Sequence, residues 1–530
     1  VDNVSPSRFL HDIAQMPTSQ PGSPRALHAA SSLACAALTA ALCGTSFSAP
    51  LAAQSGAPPA PPAAVATARQ PTAVTRRDLA DAYLDVDRVA IRRGLPEDSR
   101  LAAWNRDFDR TTLAFFGGDF PKVLREMHDL LARMTGDSAV ASPTRQILPL
   151  RVRGTPRVLV AGRDSHLTIG ATVMYADPSI TTPRTLTVRV LDAQGRELTG
   201  GRITVPAQAE SGHEARLRLD AGVFVQAPGR YTIEATLPGA AMPRVTEVFV
   251  LAEPAAAIRT RLDRELNGLP ATADPQSVAA VRARIGLIVE QPSETNSAQF
   301  IADPAALARQ VESEVRALAR GRRPFELRVG DYWRVIVGPQ GDIPVRVYAP
   351  RSVATGARMP VVIALHGAGG DENMFLDGYG NGRLRELADS VDFILLSPAT
   401  TAFARNPAGL DSALAVLERE YVIDRGTVYV LGHSMGGAAT IQLASARSEL
   451  VRAAAVIAGA GAVPTGRSLP PMFFQAAEVD LVIPVTRVRA SYDQFRAAGY
   501  VAEYGQATGW GHTLVVGARL DDVVRWLFAH

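Results

Sequence analysis

Residues 323–530 predict an α/β fold on a mostly parallel sheet of eight strands. Three observations predict it. From Pro324 onward, short apolar runs alternate with segments of helical period, the pattern of strand–helix units covered on both faces. Two apolar runs come first with no helical segment between them, which adds two leading strands. Finally, three loops rich in Gly and His follow runs at their carboxyl ends, at His366–Gly370, Gly432–Gly436 and Gly509–His512. Open sheets of this kind bind ligands at those ends.

The chain begins differently. Arg8 and Arg25 precede the apolar run Ala26–Leu42, and small residues lead to Ala53-Gln54. Basic flank, short apolar core and small residues are the layout of a secretory signal, so residues 1–53 are expected to be removed and the mature protein secreted or periplasmic. The core Leu33–Leu42 is short for a membrane span, so no stable membrane insertion is expected after cleavage. Both cysteines, Cys35 and Cys43, fall in this segment. The mature chain is therefore expected to lack disulfides, thiolate metal sites and a Cys nucleophile. Residues 54–75, with Ala-Pro-Pro-Ala-Pro-Pro at Ala57–Pro62, read as an extended linker.

Residues 76–140 read as helical. Asp78, Ala80, Tyr83 and Val86 begin one pattern, and Leu101–Phe116 and Pro121–Met134 carry two more across Gly117-Gly118. The aromatic cluster of Trp104, Phe108, Phe115, Phe116 and Phe120 is expected at the seam of antiparallel helices. Residues 146–253 change to short alternating runs, at Arg157–Ala161, His166–Tyr175, Thr185–Leu191, Arg202–Val205, His213–Leu219, Arg230–Glu234 and Val245–Val250. Their number and spacing predict an immunoglobulin-like β-sandwich that acts as a spacer or packing module. Residues 254–322 form a helical connector, with Glu312, Glu314, Arg316 and Arg320 expected on a solvated face.

In the last region the expected strands are Phe325–Val337, Ile343–Tyr348, Pro360–Leu365, Asp392–Ser397, Thr427–Leu431, Ala453–Ile457, Met472–Gln475 and Val501–Ala507. Helices are expected at Arg383–Asp389, Leu410–Tyr421, Gly436–Ala446, Thr486–Ala498 and Asp521–Ala529. The stretch Gly432-His433-Ser434-Met435-Gly436 is G-x-S-x-G after an apolar strand. Small residues two before and two after Ser434 leave room for a tight strand-to-helix turn that lifts a nucleophilic hydroxyl clear of the sheet. The same turn offers the Met435 N–H to an oxyanion. The glycines after His366 let the backbone approach a developing negative oxygen, with Ala368 the first choice of second donor and Gly367 the next.

A serine nucleophile needs a base and an acid. His512 is the one histidine between Ser434 and the terminal His530. The carboxylates between Ser434 and His512 are Glu449, Glu478, Asp480, Asp493 and Glu503. Asp480 and Glu478 lie on the loop after a strand end; Asp480 is preferred because its run D-x-x-[IV]-P resembles the acid-bearing loop of this fold family. His433 is assigned to packing. Trp510, Phe375 and Tyr379 are candidates to line the substrate pocket.

These motifs carry a resemblance. H-G-A-G-G-D-E and G-H-S-M-G-G, with Ser, Asp and His in that order, resemble the α/β-hydrolase superfamily over roughly Gly330–His530. Within it they resemble secreted bacterial esterases of the polyhydroxybutyrate depolymerase and feruloyl esterase type, and prolyl-oligopeptidase-like peptidases. The resemblance implies acyl transfer at an ester of a small molecule or polymer, through a Ser434–His512–Asp480 triad, with no metal and no organic cofactor. A peptidase of the second kind is the alternative, and an envelope binding protein with an inert hydrolase domain is a third reading.

Composition agrees with a folded multidomain protein. The chain has 530 residues, 47% hydrophobic and 20% charged. The net charge is +3, Lys122 is the only lysine, and the arginines are scattered among acids, so no nucleic-acid partner is expected.

Overall fold

The computed structural model describes residues 74–530 apart from 94–98, 138, 140–141, 294–295, 297, 300–302 and 465. The expected signal segment, the linker as far as residue 73 and both cysteines lie outside the described residues. Among the described residues no helix is long and apolar enough to cross a membrane.

Four helices open the described chain: α1 (Arg76–Arg93), α2 (Ser99–Phe116), α3 (Phe120–Met134) and the short α4 (Pro143–Ile147). Helix α3 starts where Asp119 accepts the Lys122 N–H and Pro121 occupies a position that needs no donor. Its face of Val123, Leu124, Met127, Leu130 and Leu131 is buried against α1 and α2.

Eight strands follow: β1 (Leu150–Thr155), β2 (Val158–Val160), β3 (His166–Val173), β4 (Arg184–Leu191), β5 (Glu197–Val205), β6 (Glu214–Asp220), β7 (Gly229–Thr236) and β8 (Arg244–Leu251). They form a three-stranded sheet, β1-β3-β6, and a five-stranded sheet, β2-β8-β7-β4-β5. One apolar core serves both, with Leu150, Ile169 and Leu219 from the first and Leu186, Val188 and Ile233 from the second. Seven strands match expectation. Strand β1 is added, and its two apolar side chains among arginines, L-R-V-R-G-T, explain why periodicity did not reveal it.

The connector holds α5 (Ala255–Asn267), α6 (Pro275–Ile285) and α7 (Pro304–Ala319). Asp274-Pro275 and Asp303-Pro304 start the last two, each aspartate accepting the N–H three residues on. One expectation is overturned here. Glu314 does not sit on a solvated face: it is buried between Arg284 at 3.0 Å and Arg328 at 2.6 Å. The helices pack on the final sheet rather than bridging to it through water, and that packing encloses the charges.

The last region holds β9 (Gly330–Gly338), β10 (Gly341–Ala349), β11 (Met359–Leu365), α8 (Tyr379–Val391), β12 (Ile394–Pro398), the short α9 (Thr400–Ala404), α10 (Gly409–Glu420), β13 (Ile423–His433), α11 (Met435–Ala446), β14 (Ala453–Ile457), β15 (Met472–Ala477), α12 (Val485–Ala497), β16 (Ala502–Ala507) and α13 (Leu514–Ala529). The strands form one sheet in the order β16-β15-β14-β13-β11-β12-β10-β9. Strand β10 runs antiparallel to β9 and β12, and the other pairings are parallel. All eight expected strands are present, with ends shifted by a few residues. Alternate residues feed two cores: Val428 and Val430 of β13 face one side, Tyr429 and Leu431 the other. Burial on both faces is why these strands read as unbroken apolar runs.

Candidate functional site

Strand β13 runs straight into α11, and Ser434 sits at the joint with φ 55° and ψ −116°. A non-glycine residue there is strained, and the turn persists because its surroundings permit nothing bulkier. A methyl on Gly432 would overlap the Gly436 carbonyl, and one on Gly436 would overlap the Leu365 carbonyl. The two glycines are therefore steric requirements of the turn. Met435 is the first residue of α11, so its N–H belongs to the helix-end donors that intrahelical bonds leave free. The positive end of the helix dipole lies at the same place.

The loop after β16 brings His512 to the serine. His512 Nε2 lies 2.9 Å from Ser434 Oγ, and Nδ1 lies 2.9 Å from Asp480 Oδ2. Asp480, on the loop after β15, is fixed in turn, its Oδ1 accepting the N–H groups of Val482 at 2.8 Å and Ile483 at 2.7 Å. The Pro484 of D-x-x-[IV]-P stands immediately before the first turn of α12. Glu478 points outward and accepts the Gly509 N–H instead. Burial pulls His512 toward the neutral form. The charge and hydrogen bond of Asp480, with a smaller contribution from Asp109, outweigh it and hold the imidazole above its ordinary pKa.

The oxyanion-type loop follows β11. His366 Nδ1 donates to the Gly367 carbonyl and Nε2 accepts the Thr400 N–H at 3.0 Å, which anchors the loop to the end of β12. Gly367 packs directly on the nucleophile turn; an added Cβ would lie 2.8 Å from His433 Nδ1 and 3.3 Å from Ser434 Cβ. The Gly367 N–H is directed at Tyr379 Oη, 3.4 Å away. That leaves Ala368, half-buried at the next position, as the candidate second donor.

His433 does more than pack. Its Nε2 donates to the His512 carbonyl at 3.0 Å, and its Nδ1 accepts from Tyr379 Oη at 2.8 Å. Only this tautomer satisfies both partners, because a carbonyl cannot donate. Burial, then the nearby His512, holds His433 far below its ordinary pKa and hence neutral. A continuous path thus runs from the Gly367 N–H through Tyr379 and His433 to the backbone of His512.

The expected pocket residues divide. Phe375 and Tyr379 are enclosed in the sheet core, rings edge to face at 4.8 Å, so they brace the loop and do not border open space. Trp510 is half-buried and packs against both this core and that of the N-terminal helices.

The N-terminal helices contribute what sequence reasoning missed. Asp109 of α2 accepts the His512 N–H at 2.9 Å and the Leu481 N–H at 3.0 Å, and Asn105 accepts the Gly511 N–H at 2.9 Å. Arg76 of α1 reaches the Gly369 carbonyl at 3.4 Å and Asp371 at 3.3 Å. Asp87 accepts the Asn381 N–H at the left-handed turn Gly380–Gly382. Phe115 packs on Gly369 and stacks on Phe120 with centroids 5.6 Å apart, so part of the aromatic cluster meets the loop rather than a helix seam. None of these residues carried a local signal. Asp109 reads as one more acid on an amphipathic helix.

A serine on a strained strand-to-helix turn, followed in chain order by an aspartate and a histidine that reach it from later strand ends of a mixed sheet, is the arrangement of the α/β-hydrolases. The C-terminal region has that fold, and its likeness is to esterases. Feruloyl esterase B of Neurospora crassa is 32% identical over 134 residues, covering 22% of this chain and 44% of its own length. Feruloyl esterase B of Thermothelomyces thermophilus is 31% identical over 134 residues with the same coverage, 22% and 44%. The chain thus spans less than half the length of the curated relatives it matches. Among solved structures, an S-formylglutathione hydrolase from Agrobacterium tumefaciens aligns with a TM-score of 0.34 and 13% identity, covering 38% of this chain and 95% of its own. No family model matches the chain.

Proposed function

We propose that the protein is a serine hydrolase that cleaves carboxylic esters through an acyl-enzyme. The observation that carries this reading is the relay Ser434 Oγ–His512–Asp480, with both links at 2.9 Å on a backbone turn held at φ 55°. His512 takes the Ser434 proton as Oγ attacks the ester carbonyl carbon. Asp480 holds the Nδ1–H tautomer and stabilises the imidazolium. The N–H groups of Met435 and Ala368 receive the oxyanion, each such donor contributing about 3–4 kcal/mol to the barrier. Collapse expels the alcohol, which takes its proton from His512. Water, activated by the same imidazole, then releases the acid.

Esters rather than amides are favoured by the feruloyl esterase likeness. The substrate is an ester of a small molecule or polymer, reached outside the cytoplasm in keeping with the signal-like residues 1–53. The two-sheet region is proposed as an immunoglobulin-like spacer. The Tyr231 hydroxyl, which donates to the Ala227 carbonyl at 2.7 Å as a tyrosine corner does, supports that reading.

A fluorophosphonate probe applied to wild type and Ser434→Ala tests the activity. Labelling that depends on Ser434 is expected, and its absence sinks the reading. Turnover of p-nitrophenyl esters should exceed that of aminoacyl amides, and the reverse order would favour a peptidase.

A further inference from the structure

We propose that Asp109, presented by helix α2 from outside the hydrolase fold, is a positioning residue of the catalytic machinery that ties the base-bearing loop to the acid-bearing loop. The inference rests on the serine-hydrolase reading. Three observations carry it.

The first is connectivity. One carboxylate accepts the N–H of His512, at 2.9 Å to Oδ1 and 3.0 Å to Oδ2, and the N–H of Leu481, the residue after Asp480, at 3.0 Å to Oδ2. The base and the acid are on different loops, after β16 and after β15, and Asp109 joins their backbones directly. Asn105, one turn earlier on α2, accepts the Gly511 N–H at 2.9 Å and extends the same clamp.

The second is fit. A Cβ on Gly511 would lie 2.9 Å from both Asp109 oxygens, so the glycine before His512 is what admits the carboxylate to the backbone. Gly509, at φ 75°, is similarly fitted to Leu101 of α2 at 3.2 Å. The Gly-Trp-Gly-His stretch is thus shaped to receive this helix.

The third is charge. Asp109 is 1% exposed. The charged groups facing it are Asp480 and His512, while Arg106 and Arg110 on its own helix turn to solvent. Burial first, and then the charge of Asp480, pushes its carboxyl up to about 7 against the opposing pull of His512 and the backbone donors. Once ionised, Asp109 adds a second negative charge beside the imidazole and raises the pKa of the base. The remaining neighbour of His512, His433, stays neutral.

The test uses the full chain with p-nitrophenyl acetate from about pH 5 to 9. Asp109→Asn keeps the shape, turns an amide N–H toward backbone donors and removes the charge. We expect kcat to fall on the order of 100-fold with KM nearly constant, because both loops lose register. The acid limb of kcat/KM should move to lower pH, since the charge that supports the imidazolium is gone. A purely structural role would lower the amplitude and leave the limb in place. Asn105→Ala removes a clamp but no charge, so it should lower kcat about 10-fold without moving the limb. A folded Asp109→Asn protein with an unmoved limb, whatever its amplitude, or with kcat within about twofold of wild type, overturns the proposal. If Asp109→Asn fails to fold, Asn105→Ala decides, and full activity there overturns it. Fluorophosphonate labelling of wild type separates the two ideas. Unlabelled wild type sinks the serine-hydrolase reading and this inference with it, whereas labelled wild type beside an unaffected Asp109→Asn sinks the inference alone.

Discussion

Replacing Tyr379 with phenylalanine removes one oxygen and leaves the ring in place. That oxygen donates to His433 Nδ1 at 2.8 Å and accepts the Gly367 N–H at 3.4 Å. His433 cannot compensate by exchanging its protons, because Nε2 is committed to the His512 carbonyl at 3.0 Å. Nδ1 is then a buried acceptor with no donor, which costs about 1–3 kcal/mol. The longer Gly367 contact adds less. Taking about 2 kcal/mol, and roughly 2–4 °C per kcal/mol for a region of this size, thermal inactivation should come roughly 4–8 °C earlier. Turnover should also fall, because the network ends on the backbone of His512, the proposed base. KM should hold, because the ring is enclosed in the core and 2% exposed. The assay is residual p-nitrophenyl acetate hydrolysis after timed heating, with kcat and KM measured before it. An inactivation temperature within about 1 °C of wild type would refute the network argument. A raised KM with unchanged kcat would return Tyr379 to the pocket.

Three further outcomes are expected. Asp480→Asn leaves the geometry but favours the wrong tautomer of His512, so single-turnover acylation should slow by about 10⁴-fold. In wild type the acid limb of kcat/KM should lie above the ordinary imidazole value of about 6.5, because Asp480 outweighs burial at His512 and the base works only when neutral; activity is lost as pH falls through that limb, and a limb below that value contradicts the assignment. Glu314→Ala removes the carboxylate that both the buried Arg284 and Arg328 pair with and leaves them only neutral acceptors such as Gln310, so denaturation should show a loss of about 3–5 kcal/mol.

Most of the sheet was legible because both of its faces are covered. Strands such as Val428–Leu431 must then be apolar at every position, which made them stand out from the alternating runs before them. The turn at Ser434 was legible because its glycines answer local overlaps, with the Gly436 carbonyl and the Leu365 carbonyl. Asp480 could be chosen over Glu478 because loop position and the run to Pro484 are also local. What escaped was set by packing. Glu314 looked solvated because its helical spacing says nothing of the Arg284 and Arg328 that enclose it. Phe375 and Tyr379 looked like pocket residues because they follow the oxyanion-type loop, yet the loop folds them inward.

The sequence by itself determined the α/β fold of residues 323–530, the glycine-bounded turn at Ser434 and the chain order of Ser434, Asp480 and His512. Those features rest on periodicity and on steric needs between residues close in the chain. Only the tertiary structure decided how the N-terminal helices take part. The contact of Asp109 with His512 joins residues some four hundred positions apart, |i−j| = 403, and Asn105 meets Gly511 across 406. Over such separations no spacing rule operates. The Asp109 carboxylate meets the loops of Asp480 and His512 only because folding carries it to backbone N–H groups that would otherwise be buried without a partner.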